Sequence, residues 1–499
     1  MLRAGLLVVA LVAAPLRARE PEAAPAIFVD FEQLVDVERE PLAGATRIPA
    51  TVRPDLGNRQ PILPTVQLVP APDSDNAVVP EDILEDLGEP EATQLMPVPE
   101  SNESMVPSDI LEDLGDWVAP GQQEKKKYPN FALTGLVELD SAWISQSPAN
   151  VESVGVIDDE LAFRRARVAA YGSIVEHLSY ILEMDFALAG RPSFVDAFAE
   201  WDSIPLLGTV RVGRWRQPFG LESLSSIRGI TFLERGEPIA LAPFRRTGVG
   251  FFNYAKNERV TWALSTFRST TDQYGNAFGN LGGQGLAGRV TVLPIYKDGG
   301  RRLFHLGASY NYMNPGNNTA RFFSQPEIFF DELATGGTPQ FVDTGNIDSQ
   351  YYSVFGTEIA GVHGPWSAQA EWIPASVQQT GGPQLFFSGA YAYVSYILTG
   401  ESRGYDPKLG VFTRVTPTNS FDPKRPLCFG GAWELAARYS YLNLNSENIT
   451  GGEIQDFTWG VNWYLVTRFR LQFNYIHTLL DRDLNSTANS FALRAQFDF

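Results

Sequence analysis

The sequence predicts an all-β fold: a 16-stranded antiparallel transmembrane β-barrel behind a disordered, proline-rich N-terminal segment. Three observations carry this. Alternating strand patterns recur sixteen times between residue 131 and the C-terminus, the gaps between them mostly alternate short and long, and the oily faces of the last four strands are free of charge. The last nine residues show the pattern at its clearest. Phe491, Leu493, Ala495, Phe497 and Phe499 share one face of a strand, and Ala492, Arg494, Gln496 and Asp498 share the other. A strand that meets fat on one side and water on the other is the unit of a transmembrane barrel.

Taken from the front, Met1-Leu2-Arg3 and the apolar run Ala4–Ala14 read as a secretory signal over residues 1–18, with cleavage after Ala18. Residues 19–128 follow as a disordered periplasmic segment. Sixteen of the 34 prolines fall between residues 20 and 129, together with only four aromatics, Phe28, Phe31, Trp117 and Tyr128. That composition buries too little apolar surface to offset chain entropy. Within it, Pro80-Glu81-Asp82-Ile83-Leu84-Glu85-Asp86-Leu87-Gly88 recurs as Pro107-Ser108-Asp109-Ile110-Leu111-Glu112-Asp113-Leu114-Gly115. Each copy fits a turn or two of amphipathic helix. It is either a docking motif for a periplasmic partner or a local duplication in a spacer.

The barrel itself takes residues 129–499. Its strands begin near residues 131, 161, 178, 194, 208, 246, 259, 285, 303, 350, 365, 385, 432, 454, 468 and 489. An even number returns both ends to one side of the membrane. Long connections are expected at about 144–160, 217–245, 268–284, 314–349 and 478–488, with tight turns such as His363-Gly364-Pro365 on the other side. Residues 399–431 form the one long segment on the side of the tight turns. In the late strands Phe457, Trp459, Val461, Trp463 and Leu465 oppose Thr458, Gly460 and Asn462, and Phe469, Leu471, Phe473 and Tyr475 oppose Arg470, Gln472 and Asn474. Trp433, Leu435, Ala437, Tyr439 and Tyr441 likewise oppose Glu434, Arg438 and Ser440. A charge on the lipid face costs about 2–4 kcal/mol at the bilayer midplane. Sheets in lipid must also close, because hydrocarbon offers no partner for a free edge. Sixteen strands enclose an aqueous channel and not a packed core. A soluble sandwich would also alternate, but with its oily side inward and shorter loops.

Bulk composition narrows the alternatives. No apolar run after residue 15 approaches the roughly 18 residues of a membrane helix. The single cysteine, Cys428, excludes an internal disulfide. Net charge is −19, but residues 1–130 hold 23 acidic and 10 basic residues, so most of the acidity belongs to the front. That front would repel nucleic acid, and no basic run long enough to bind it is present. Gly283-Gln284-Gly285-Leu286-Ala287-Gly288 fits a dinucleotide pattern but opens a strand. His177, His305, His363 and His477 lack metal spacing, and no cofactor is expected. An outer-membrane enzyme would need a Ser–His–acid set; His305 and Ser309 share a strand face but stand too far apart to bond.

From about Phe163 to Phe499 the chain resembles the phosphate-selective porin O and P family. The residues that carry this are Phe163-Arg164-Arg165-Ala166-Arg167, Arg211-Val212-Gly213-Arg214, Gln217-Pro218-Phe219-Gly220-Leu221-Glu222, Leu398-Thr399-Gly400-Glu401-Ser402-Arg403, the run Gly431–Ser440 with Trp433-Glu434-Leu435, and Gly460-Val461-Asn462-Trp463-Tyr464. The resemblance implies a homotrimeric channel in the bacterial outer membrane that passes small anions such as phosphate. It also implies that Phe499 is an assembly signal. A non-selective solute porin, or a barrel anchor whose front tethers a periplasmic partner, are the other readings.

Selectivity in a wide barrel comes from what folds inward and from fixed charge on the wall. The 217–245 loop and the 399–431 segment are the constriction candidates. Their anion-binding residues are Arg228, Arg235, Arg245, Arg246, Lys408, Arg414, Lys424 and Arg425. Alternation turns Arg165, Arg167, Arg438, Arg470 and Arg494 to the lumen wall, with Glu183, Asp185, Glu200, Glu358, Glu371 and Glu434. Guanidinium groups suit phosphate because a planar, permanently charged fork donates paired hydrogen bonds. Any one arginine is either wall scaffolding braced by a carboxylate or a solute contact.

Overall fold

A computed structural model describes residues 128–187, 192–269, 283–330, 337–424 and 430–499. Residues 1–127 with the duplicated motif, and Arg425 and Cys428, lie outside the described residues. Sixteen strands form the wall. They are β1 (Ala132–Gln146), β2 (Glu160–Val175), β3 (Leu178–Asp185), β4 (Ser193–Ile204), β5 (Gly208–Arg216), β6 (Arg245–Tyr254), β7 (Val260–Arg268) and β8 (Gln284–Lys297). The second half comprises β9 (Arg302–Asn314), β10 (Ile347–His363), β11 (Trp366–Gln379), β12 (Gln384–Ile397), β13 (Ala432–Ser446), β14 (Ile449–Val466), β15 (Phe469–Asp481) and β16 (Asn485–Asp498). Every expected strand is present, each beginning within five residues of its expected start.

Each strand pairs antiparallel with the next, and β16 returns to β1 in a register that runs from Leu136 opposite Asp498 to Gln146 opposite Ala488. No edge is left to lipid. Phe499 completes the seam: its N–H donates to the Gly135 carbonyl (3.2 Å), and its own carbonyl accepts from Gly135 N (3.0 Å) and Thr134 Oγ1 (2.7 Å). A Cβ at Gly135 would fall 2.3 Å from the Phe499 ring, so only glycine leaves that ring its seat.

The outward face is as the alternation required. Trp459 is 48% exposed while its neighbours Thr458 and Asn462 on the inner face are buried. Aromatics gather at the strand ends, with Trp433 stacked on Trp463 (4.8 Å) and Trp366 against Tyr396 (4.5 Å) on the side of the C-terminus. Tyr312 stacks on Tyr351 (6.0 Å) at the opposite rim. These are the girdles of a membrane barrel, where amphipathic rings sit at the interface.

Two expectations change. The connection expected at 478–488 is only residues 482–484, because Leu479, Leu480 and Thr487 continue the β15–β16 ladder. Polar residues there are strand residues above the lipid, where alternation carries no signal. The inner wall is also not polar throughout. Val354, Ile373, Val377, Leu385, Leu442 and Ile454 on β10–β14 form an apolar cluster with Phe322 and Phe341 of the 315–346 connection. The described parts of that connection, residues 315–330 and 337–346, pack inside the barrel as a hydrophobic lining along the far end of β10–β15.

Candidate functional site: an arginine waist between two chambers

Three segments enter the lumen. Residues 217–244 cross it from the far rim, residues 315–330 and 337–346 follow from the same rim, and residues 398–424 enter from the side of the termini. The first is held by its own backbone. Arg470 donates to the carbonyls of Ile230 (2.7 Å) and Ile227 (3.1 Å), Asn462 to Thr231 O (2.7 Å), and Arg494 to Leu233 O (2.5 Å). The Glu371 carboxylate accepts from Leu221 N (2.6 Å) and Glu222 N (2.9 Å), the start of the short helix α1 (Leu221–Leu224). Such bonds satisfy backbone groups that a buried loop would otherwise leave open.

Glu234 is the main anchor. Its carboxylate meets Arg164 (2.8 Å), Arg165 (3.0 Å) and Arg494 (2.9 Å). Burial alone would push this carboxyl up, but the three guanidinium groups outweigh it and hold it well below the usual carboxylate range. Arg438 ties two segments together, reaching Glu327 (2.5 Å) of residues 315–346 and Glu222 (3.2 Å) of residues 217–244. Glu237 at the tip is the opposite case: burial, then the neighbouring Asp456 and Glu327 carboxylates, push it well above the usual range.

The segments leave two chambers along β2–β8. The upper one, about 390 Å³, lies toward the far rim, with Arg164, Arg235 and Phe323 on its wall. The lower one, about 160 Å³, lies toward the termini, with Arg228, Arg289 and Lys408 on its wall. Arg167, Arg216 and Arg245 line both. They form the waist.

Around the waist, Arg167 is braced by Asp185 (2.7 Å) and Arg245 by Asp196 (2.8 and 3.0 Å). Arg216 has no carboxylate at ion-pair distance among the described residues. Its guanidinium lies 4.7 Å from the Phe244 ring centroid and donates to the Ser223 carbonyl. In register, Arg216 stands directly opposite Arg245 on β6. Like charges directly opposed across a sheet destabilise it.

The sequence profile of the phosphate-selective porin O and P family matches residues 150–499. The chain belongs to this family. It is 28% identical over 367 residues to an uncharacterised protein of Caulobacter vibrioides, covering 69% of this chain and 68% of that one. With Porin O of Pseudomonas aeruginosa it shares 24% identity over 406 residues, covering 74% and 88%. Among solved structures, the outer membrane channel DcaP of Acinetobacter baumannii overlays with a TM-score of 0.46 and 14% identity, covering 74% of this chain and 97% of that one. The anion-selective porin from Comamonas acidovorans gives 0.45 and 13%, covering 74% and 99%. This porin therefore resides in the bacterial outer membrane, with the tight turns and both barrel ends periplasmic.

In this porin the sequence-named residues fall into distinct places. Arg245 stands at the waist, Arg235 in the upper chamber, and Arg228 and Lys408 in the lower. Lys408 is half exposed, 3.9 Å from Glu258. Arg246 is buried, its Nη1 3.5 Å from the Arg245 carbonyl. Arg414 is fixed near the periplasmic rim by Asp498 (3.1 Å) and the Thr467 carbonyl (3.0 Å). Lys424 is exposed on a turn, with its N–H on Asp422. Of the wall arginines, Arg165, Arg438, Arg470 and Arg494 all point inward and clasp the entering segments; Arg165 also borders the upper chamber, and Arg167 lines both chambers.

Sequence reasoning named neither Arg164 nor Arg216 among the pore residues. Strict alternation sends Arg164 to lipid. A β-bulge between Glu138 and Leu139 makes it the extra residue, and it turns inward onto Glu234. Three arginines in the five residues Phe163–Arg167 are a signal of that break, since a regular strand would leave one of them in the membrane. His305 and Ser309 do not bond each other; both bond Glu358, at 3.1 and 3.3 Å.

Proposed function

We propose that this porin passes small anions, phosphate-sized ones among them, by passive diffusion through the Arg167–Arg216–Arg245 waist, and that it works as a homotrimer in outer-membrane lipid. The family membership supports a channel and not an enzyme. One observation carries the anion preference: Arg216 opposes Arg245 in register, and among the described residues a single carboxylate, Asp196, is at ion-pair distance from the pair. The sheet bears an unfavourable like-charge contact where the open path is narrow, and an anion in the waist relieves it. Arg228, Arg235 and Lys408 extend the same field into the chambers. The name of the Comamonas porin, anion-selective, agrees with this reading. A periplasmic partner of the front segment concerns residues outside those described.

Planar-bilayer reversal potentials across a potassium chloride gradient test the proposal. The expected sign is that of chloride preference, and Arg216→Gln lowers the chloride-to-potassium permeability ratio severalfold. A reversal potential of the cation sign, or a ratio untouched by Arg216→Gln, refutes it.

A further inference from the structure

We infer that the lower chamber selects anions that carry an aromatic ring, with an aryl monocarboxylate the size of benzoate as the fitting solute. This rests on the anion-preferring reading above and names its solute class.

The lower chamber is not built as a site for a bare oxyanion would be. Its roof is the arginine waist, but half-buried Phe252, Leu224 and Leu409 line its sides, backed by Phe198, Trp215 and Phe412. Phe198 and Phe252 stand edge-on to Trp215, at 6.4 Å and 76° and at 6.3 Å and 69°. Arg211, held by Glu200 (2.7 Å), lies 3.9 Å over Phe198 and 4.8 Å over Phe252 and fixes both rings. Inorganic phosphate gains nothing from such walls, because its surface prefers water, and acetate gains only what its single methyl group offers. A phenyl ring gains in proportion to the apolar area it removes from water, with edge-to-face contacts in addition. Size agrees: a dry cavity of about 150 Å³ accepts benzene, and this chamber measures about 160 Å³. A carboxylate on the ring would then reach the Arg216 donors above while the ring stays among the apolar side chains. Three elements build the pocket: β4–β6 supply the aromatic wall, residues 217–244 supply Leu224, and residues 398–431 supply Leu409 and Phe412.

Block of chloride current through the wild-type porin by benzoate, acetate and inorganic phosphate, added at the periplasmic side, tests the inference. Half-block by benzoate is expected at a concentration about tenfold or more below that of acetate and of phosphate. Phe252→Ala and Leu409→Asn each bring the benzoate-to-acetate ratio toward one, in protein whose heat-modifiable migration shows a closed barrel. A wild-type ratio within twofold of one, with chloride preference intact, overturns the inference and leaves the anion reading standing. So does a wild-type-like ratio in both variants. A cation-preferring reversal potential removes both readings together.

Discussion

Replacing Glu234 by glutamine tests whether the channel is shaped by a charge clasp. The substitution keeps the shape and removes the charge that Arg164, Arg165 and Arg494 share. Arg165 retains Glu138 (2.5 Å) and Arg494 retains Asp140 (2.7 Å), but among the described residues Arg164 keeps only the Phe329 ring, 4.1 Å away. Removing one partner of a buried ion pair costs about 3–5 kcal/mol, because the remaining charge stays desolvated. Two of the three arginines keep a carboxylate, so the lower figure applies. Three kcal/mol is about a hundredfold in the balance between seated and unseated loop. The backbone bonds from Arg470 and Asn462 still favour the seated form. The variant is therefore expected to show brief openings of higher conductance and greater open-state noise in single-channel records at pH 7.

Proton linkage gives the same clasp a second signature. Glu234 has a folded-state pKa below its ordinary value, so its contribution is present above the unfolded pKa of roughly 4.3 and fades as pH falls through the lowered folded value. Acidification below about pH 4 should add noise to wild-type records, while Glu234→Gln, already lacking the charge, loses that component of the acid response. Records of the variant that match wild type in conductance and noise at pH 7 would show that the clasp does not set the loop.

The contrasting substitution is Glu237→Gln. Burial beside the Asp456 and Glu327 carboxylates pushes the Glu237 carboxyl well above the usual range, so glutamine there removes less charge than at Glu234; conductance should stay close to wild type, and the loss of stability should be the smaller of the two. On the outer surface, Trp459→Arg places a charge among lipid tails in the middle of β14. It should lower the folding free energy in vesicles, measured by urea titration, by about 2–4 kcal/mol, and an unchanged midpoint would mean that this face does not meet hydrocarbon.

The wall and the channel were legible in the sequence to different degrees, for a physical reason. Lipid imposes one rule on every outward position, so Trp459, Trp433 and Phe491 announce their face with no knowledge of what lies across the sheet. Inward positions obey no such rule. Arg165, Arg167, Arg211 and Arg494 look alike in the sequence, yet each stands opposite a carboxylate in register: Glu138, Asp185, Glu200 and Asp140 respectively. Arg216 stands opposite another arginine. A two-residue change of register would keep every side chain on its face and change these partners, and alternation at period two does not exclude it. The inward course of residues 315–330 and 337–346 was hidden for a related reason: Phe322 packs on Phe387, far away in sequence, and a loop that lines a lumen has the same local composition as one that faces solvent. Charge pairing therefore divides the lumen where sequence pattern does not. Most arginines with a carboxylate across the sheet hold the barrel and its loops, and the proposed function assigns the like-charged pair at the end of β5 and the start of β6, with Arg167 beside it, to the solute.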